Sequence, residues 1–188
     1  MKKGAQIYEG KAKKVFETDK KENLIVEYKD DATAFNGLKK GTITGKGVVN
    51  NRMTNRLMRL LEKEGIPTHF VEELSDRETV VKRVQIVPLE VIIRNISAGS
   101  FAKRFGVEEG IVFEEPTIEF SYKNDELGDP LLNTHHALAL KLASLEEIVT
   151  IERMAFQVNE ALKKFFLSIG IELVDFKLEF GRLADGSI

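Results

Sequence analysis

The 188-residue chain contains no cysteine, and this absence excludes several kinds of site at once. Without thiols there is no disulfide framework, no thiolate zinc site and no cysteine nucleophile. The three histidines, His69, His135 and His136, show no metal-ligand spacing to a further histidine. We therefore expect the histidines to be surface or loop residues.

The chain also lacks a large excess of charge of one sign, and it has no long apolar run. The net charge of −2 lacks the basic excess that a general nucleic-acid binder needs. No apolar run reaches the roughly 18 residues of a membrane span. The N-terminal segment MKKGAQIYEGKAKK is basic but has no apolar core, so it does not resemble a secretory signal. These features predict a cytoplasmic protein without nucleic-acid or membrane partners.

What is present fits a globular chain of one large domain or two small ones. The segments QIYEG, KKVFET and NLIVEYKD predict strands, residues 30–47 predict a loop, and a helix is expected from about Val48. The β-rich segment ETVVKRVQIVPLEVIIRN is broken by Pro88. We take that break as a domain boundary, with an N-terminal β-rich lobe at residues 1–86 and a C-terminal α+β lobe at residues 87–188.

The second half alternates helices and strands in a way that indicates an α+β fold. SAGSFAKRFG predicts a short helix that is capped by Gly106. Ser144 and Glu147 form a capping box that opens a long helix, which ends at Gly170. The strand LVDFKLEFG follows, and the Asp-Gly pair in ADGS predicts a hairpin turn. We expect that the returning strand belongs after Ile188, so that the chain is cut within a hairpin.

Two glycine-containing segments of the first half invite a phosphate-binding interpretation. In YEGKAKKVF, Gly10 permits close approach of a ligand, and Lys11 and Lys13 supply cations, although a solvated hairpin tip has the same composition. The segment GTITGKG is not a P-loop. Its glycines at 41 and 45 are too close together, and Gly47 stands where a P-loop has Ser or Thr.

Two segments of the second half gather polar and charged residues. In RNISAGSF, Arg94 ends a strand and Ser97 and Ser100 lead into a helix, which is a possible anion site or a plain serine cap beside an exposed arginine. In YKNDELGDP, Lys123, Asp125 and Asp129 crowd one loop, where a solvated turn is the alternative.

The strand LVDFKLEFG carries the sharpest pattern. Asp175, Lys177 and Glu179 alternate with apolar residues, so the three charged side chains share one face. Carboxylates at alternate positions can reach a divalent cation, with the lysine between them to balance charge. A solvent-exposed polar face is the alternative.

Taken together, these segments resemble one family. YEGKAKKVF, KGVVNNRM, GIPTHF, VPLEVIIRN, SAGSFAKRFG, KNDELGDP and LVDFKLEFG are similar, in order and spacing, to the phosphoribosylaminoimidazole-succinocarboxamide synthase (SAICAR synthetase) family. The resemblance runs from about Ala5 to Ile188. The family's sequences continue by several tens of residues and carry a further acidic metal ligand there.

The resemblance implies a two-lobed α+β fold with an ATP cleft between the lobes. It implies an ATP-dependent ligase that joins L-aspartate to carboxyaminoimidazole ribonucleotide (CAIR) in purine biosynthesis, through an acyl phosphate and with release of ADP and phosphate. ATP is the co-substrate, Mg²⁺ the cofactor, and a homodimer is possible. A small-molecule kinase or an inactive nucleotide-binding fragment are the alternatives, and ADP release that depends on aspartate separates them.

The resemblance also assigns roles to residues. The ATP-binding residues are Gly10, Lys11, Ala12, Lys13, Ile86 and Lys123. The substrate-binding residues are Arg94, Ser100 and Asp129. The catalytic residues are Asp175, Lys177 and Glu179, and Glu179 is also the metal ligand.

Overall fold

The computed structural model describes residues 1–34 and 39–188, which form two compact units. The first unit is Met1–Val84 and the second is Gln85–Ile188. The boundary expected from the sequence lies two residues later in the chain. The assignment of one unit to ATP binding and the other to catalysis stays a prediction, as does the ATP cleft.

The first unit contains a five-stranded antiparallel sheet, a short two-stranded ribbon and one long helix. In chain order the elements are β1 (Lys3–Glu9), β2 (Lys13–Thr18), β3 (Asn23–Tyr28), β4 (Asp31–Ala34), β5 (Lys39–Thr42), α1 (Lys46–Lys63), β6 (Phe70–Glu73) and β7 (Glu78–Lys82). The sheet order is β1-β2-β3-β7-β6, and β4 pairs with β5.

The ribbon corrects the expectation of a loop over residues 30–47. Asp31 pairs with Thr42 and Ala34 with Lys39, so this polar segment satisfies its backbone groups by pairing locally. Residues 35–38 of the expected loop lie outside the described residues.

A buried polar contact joins the helix of the first unit to its sheet. Ile25 and Val80 form part of the apolar core. Beside them, the Thr79 hydroxyl on β7 donates to Asn51 Oδ1 on α1 at 2.6 Å, and Asn51 Nδ2 donates to the Ser75 carbonyl at 3.0 Å. Because buried polar groups are costly unless they are bonded, these contacts fix how α1 lies on the sheet.

The second unit packs helices against one face of a four-stranded antiparallel sheet. Its elements are β8 (Gln85–Ile96), α2 (Gly99–Phe105), β9 (Val112–Tyr122), β10 (Leu131–Leu132), α3 (Thr134–Ala139), α4 (Leu145–Leu167) and β11 (Asp175–Arg182). The sheet order is β10-β9-β8-β11. Alternate residues of β8 supply the core, namely Val87, Leu89, Val91 and Ile93, and they pack with Ile148, Ile151 and Ala155 of α4. No helix in the described part of the chain is long and apolar enough to cross a membrane.

Pro88 does not break the chain into domains as the sequence suggested. It lies inside β8, which continues from Gln85 to Ile96. The pairing of β8 with β11 has an irregularity between Glu179 and Gly181, opposite the stretch that contains Pro88. Proline is tolerated in strands at such bulges, where its missing N–H does not interrupt a regular ladder. The two units therefore divide before β8 begins.

The start of α4 confirms the predicted capping box. Ser144 Oγ accepts from the Glu147 N–H, and Glu147 Oε2 accepts from the Ser144 N–H at 2.7 Å. The Arg182 guanidinium also donates to both oxygens of Glu147, and it holds the pKa of that carboxyl to about 2. One carboxylate thus caps the helix and anchors the end of β11.

Candidate active site

The charged face predicted for β11 is present in the structure. Asp175, Lys177 and Glu179 are exposed, whereas the residues between them are partly buried against the core. The period of two in the sequence therefore identified the correct face of an antiparallel edge strand.

The neighbouring strand extends this polar face. In the register of β8 with β11, Asp175 lies opposite Arg94 and Glu179 lies opposite Glu90. Directly opposite residues of antiparallel strands project from the same face, with Cβ atoms about 4.5–5.5 Å apart. On the other side of β8, Ser121 of β9 lies opposite Glu90. The face is thus built from three strands.

Each cation on this face has a carboxylate partner. Lys177 Nζ lies 2.7 Å from Glu90 Oε1, and Lys123 Nζ lies 2.9 Å from Glu179 Oε1. Arg94 Nη1 donates to Asp175 Oδ2. The structure therefore brings Lys123, from the loop after β9, to the same place as the three predicted catalytic residues.

Glu90 is a member of this cluster that the sequence analysis missed. Its side chain is only 9% exposed, compared with 38% for Glu179. It stands in the mostly apolar segment VPLEVIIRN, whose composition indicates a buried strand and not a charged site. The sequence nevertheless contained a signal. Glu90 precedes Arg94 by four residues in the same strand, and residues an even number of positions apart project from the same face, so Glu90 shares the face of Arg94.

Arg94 is buried, which contradicts the alternative of an exposed arginine. Its side chain is 7% exposed, and Nη1 also donates to the Ala98 carbonyl at 3.1 Å. The guanidinium lies 5.6 Å from the centre of the Phe101 ring on α2. Arg94 Nε is buried and has no hydrogen-bond partner. Arg94 therefore joins β8, β11 and the start of α2, and it retains an unused donor.

The start of α2 differs from a plain serine cap. The N-cap residue is Ala98, and no side chain caps this position. The Gly99 N–H donates to Glu109 Oε1 at 2.8 Å, and Ser100 is exposed on the first turn. Gly106 ends the helix with φ of 64°, as predicted. The serine-cap alternative is wrong, and the substrate role of Ser100 stays a prediction.

The Asp129 side chain accepts a hydrogen bond within its own loop. Asp129 Oδ1 accepts from the Asn124 N–H at 2.9 Å, and Asn124 Oδ1 accepts from the Glu126 N–H at 3.1 Å. Asp129 has φ of 49°, a conformation that aspartate tolerates better than most residues. These contacts shape the loop that follows Lys123.

The predicted ATP residues fall in both units. Gly10, Lys11 and Ala12 form the turn between β1 and β2, and the Gly10 N–H donates to the Lys13 carbonyl at 2.9 Å. Lys11 and Lys13 are exposed. Ile86 belongs to β8 in the second unit, where it is 44% exposed and lies opposite Gly181.

The segment that resembled a P-loop holds an internal anion. The Gly45 and Gly47 N–H groups at the start of α1 donate to the Asp30 carboxylate at 3.2 and 2.8 Å, and Arg77 donates to it at 2.7 and 2.8 Å. The arginine, followed by the Gly47 N–H, lowers the pKa of Asp30 well below its usual range. A Cβ at position 47 would lie 2.6 Å from the Tyr28 carbonyl oxygen, so only glycine fits. This corner is a structural site.

His69 lies in the loop before β6, as expected. It is half-buried and lines a small cavity with Tyr28 and Asn55, whose Nδ2 has no hydrogen-bond partner. Burial, helped by the charges of Lys13 and Lys82, lowers the pKa of His69 to about 4. A neutral ring at physiological pH is the result.

The carboxylates of this face can be compared with what a metal ion requires. Within residues 1–34 and 39–188, no three His, Asp or Glu side chains form a group able to hold a metal by themselves. Mg²⁺ usually takes one or two carboxylates and completes its shell with water and phosphate oxygens. Glu179, half-exposed and supplying oxygen ligands, fits that requirement.

Comparison with known proteins identifies the family. The SAICAR synthetase family profile matches residues 6–188. The chain is 67% identical to phosphoribosylaminoimidazole-succinocarboxamide synthase of Lachnoclostridium phytofermentans, over 98% of this chain and 79% of that protein. It is 61% identical to the enzyme of the same name from Caldanaerobacter subterraneus subsp. tengcongensis, over 99% and 79%.

Solved structures agree with this result. The crystal structure of the Ehrlichia chaffeensis synthase has a TM-score of 0.93 and 45% identity, and the match covers 96% of this chain and 76% of that one. A SAICAR synthetase in complex with ADP has a TM-score of 0.92 and 48% identity, with the same coverage. The mixed α+β fold with antiparallel sheets is thus confirmed, and the chain belongs to the SAICAR synthetase family.

Proposed function

We propose that the polar face of β8 and β11 is the ligation site of a phosphoribosylaminoimidazole-succinocarboxamide synthase. Membership of the family gives the chain this activity: it is an ATP-using ligase of purine biosynthesis. The single observation that carries the site is the cluster of Lys177 and Lys123 with Glu90 and Glu179. It offers two lysine cations and a carboxylate able to bind a hard ion on one face of a sheet.

The chemistry explains why such a face is useful. The carboxylate of CAIR is a poor acyl donor, because its leaving group would be oxide. Transfer of the γ-phosphoryl group of ATP to a carboxylate oxygen gives an acyl phosphate and ADP. The aspartate amine then attacks the acyl carbon, forms the amide and releases phosphate. All three reactants are anionic, so binding them together requires cations.

The proposed roles follow from position and charge. Lys177 stabilises negative charge on the reacting carboxylate and phosphoryl oxygens, and Asp175 orients Arg94 toward the ribonucleotide, beside Ser100 and Asp129. Gly10, Lys11, Ala12, Lys13, Ile86 and Lys123 contact ATP. Glu179 would hold Mg²⁺, which would neutralise phosphate charge when bound. The reactants gain from being oriented, because orientation lowers the entropic barrier.

The test is ADP release by the purified enzyme with ATP, CAIR and L-aspartate, and with each omitted in turn. A ligase releases ADP in amounts that match amide formation and that depend on aspartate. With the CAIR carboxylate labelled with ¹⁸O, an acyl phosphate transfers one labelled oxygen to inorganic phosphate. Equal ADP release without aspartate would instead indicate a small-molecule kinase, and nucleotide binding without turnover would indicate an inactive module.

A further inference from the structure

Glu90 lies in the middle of the polar sheet face. It belongs to β8, with Ser121 of β9 on one side and Glu179 of β11 on the other. Its carboxylate is almost completely removed from solvent. A buried charge of this kind is costly unless a counter-charge accompanies it, so its partner is essential to the local structure.

The partner of Glu90 is Lys177, and the two residues are held very differently. Glu90 is 9% exposed and fixed in the central part of the sheet, whereas Lys177 is 50% exposed on the edge strand. A lysine has a flexible four-carbon stem and three rotatable donors. The 2.7 Å contact with Glu90 therefore determines where the ammonium group of Lys177 is held.

The position of Glu179 gives this contact a second consequence. Lys177 and Glu179 are two residues apart on one face of β11, so they are close enough to attract each other. Glu179 and Glu90 are directly opposite, and like charges in that arrangement repel. In the structure each carboxylate has a different lysine as its partner. Lys177 contacts Glu90 and Lys123 contacts Glu179, so both negative charges are neutralised.

We propose that Glu90 is a positioning residue of the ligation site. It holds the ammonium group of Lys177 over the sheet and draws it away from Glu179, so that a divalent cation at Glu179 has to displace Lys123 but not Lys177. This inference rests on the proposed function, in which Lys177 stabilises charge and Glu179 binds Mg²⁺.

The first experiment compares Glu90→Gln with Glu90→Asp in the purified enzyme. Glu90→Gln keeps the shape and removes the charge, and we expect kcat to fall by about 10- to 100-fold, the range typical of groups that orient a functional ligand. The Mg²⁺ concentration for half-maximal activity should rise, because the released Lys177 competes at Glu179. Glu90→Asp retains the charge and should recover part of kcat. The control is Glu115→Gln, on an exposed position of β9, which should behave like wild type.

The second experiment asks whether Glu90 acts through Lys177. If it does, Glu90→Gln combined with Lys177→Met should have the kcat of Lys177→Met alone, within roughly twofold. Multiplying losses would show that Glu90 acts independently, and they would overturn the inference. Unchanged kcat and Mg²⁺ dependence in Glu90→Gln would also overturn it.

A third readout does not depend on activity. Acetic anhydride labels exposed lysines, and mass spectrometry of peptides gives the rate at each site. Lys177 of the wild-type protein should be labelled more slowly than the exposed Lys63, and Glu90→Gln should remove the difference. Equal rates in wild type would overturn the inference. Failure of the ligase assay with slow labelling of Lys177 would overturn the proposed function but keep the pair.

Discussion

Two places in the molecule pair carboxylates with cations, but the pairing has a different consequence in each. At the start of α1, Asp30 accepts from Arg77 and from the Gly45 and Gly47 N–H groups, so a single carboxylate satisfies several donors. On the face of β8 and β11, each cation has its own carboxylate, and several of the side chains are half-exposed. The first arrangement leaves no place for a ligand. In the proposed function, the second exchanges an internal partner for a substrate anion or a metal ion.

The comparison teaches that a glycine-rich helix start and a row of charges must be judged by their internal partners. The spacing of its glycines already excluded a P-loop in GTITGKG, and the alternation in LVDFKLEFG indicated a metal site or a solvent-exposed face, but neither pattern showed which side chains each segment contacts. The difference is that Asp30 precedes the glycines by only fifteen residues and folds back onto them. Substitutions at the two places should therefore affect different measurements.

The largest expected effect is on turnover, in Glu179→Gln. The change keeps the shape and removes the charge that would bind Mg²⁺, so kcat should fall by about 10²–10³-fold, as when a charge-stabilising contact is lost. ADP release with all three substrates, across a Mg²⁺ titration, measures it. Glu172→Gln, at an exposed position just before β11, is the matched control. Near-normal turnover of Glu179→Gln would return the β11 face to a solvent-exposed role.

The next prediction compares two cationic residues of the first unit, Lys13 and Arg77. Lys13→Ala should weaken ATP binding by roughly 1.5–3 kcal/mol, the typical contribution of a hydrogen bond to a charged group. CAIR affinity should change less, and calorimetry measures both. Arg77→Lys is the structural counterpart, and it should lower the thermal midpoint with little change in ATP affinity. If Lys13→Ala leaves ATP affinity unchanged, Lys13 does not contact the nucleotide.

A smaller effect is expected for Arg94→Lys, because the charge is kept. Arginine binds anions with a planar fork that lysine lacks, so CAIR binding should weaken by roughly 1 kcal/mol, the value of one hydrogen bond. Arg104→Lys controls for the loss of an arginine that is paired with a carboxylate on the same sheet. Because Arg94 is buried, its substitution also affects the stability of the fold. The thermal midpoint of the variant is therefore measured together with its CAIR affinity. Equal CAIR affinities of parent and variant would remove Arg94 from the site.

The smallest effect concerns acid stability of the corner at Asp30. Its pKa is lowered in the folded protein, mainly by Arg77, so its stabilising contribution is complete above the unfolded-state value near 3.9 and is lost as the pH falls below it. Asp30→Asn should thus be less stable than wild type at pH 7, and the gap should narrow in acid. Urea unfolding at pH 7 and pH 3 measures this, and a constant gap would contradict it.

Much of the fold and part of the site followed from the sequence, and the failures have physical causes. The alternation in LVDFKLEFG and the capping box at Ser144 are local signals, and the structure contains both. Pro88 misled because it lies in an irregular stretch of β8, where the pairing with β11 shifts and the missing N–H is tolerated. Glu90 was missed because its partner, Lys177, is 87 residues away in sequence, although its even spacing from Arg94 placed it on the same face.

The double role of Glu147 has a consequence for how the second unit folds. A capping box ordinarily makes the start of a helix a local matter, settled by four consecutive residues. Here the capping carboxylate also receives the Arg182 guanidinium from β11, thirty-five residues later in the chain. The first turn of α4 and the docking of the edge strand should therefore form and open together. Amide hydrogen exchange at the two segments should report a single cooperative opening, rather than a frayed helix end beside an independently mobile strand.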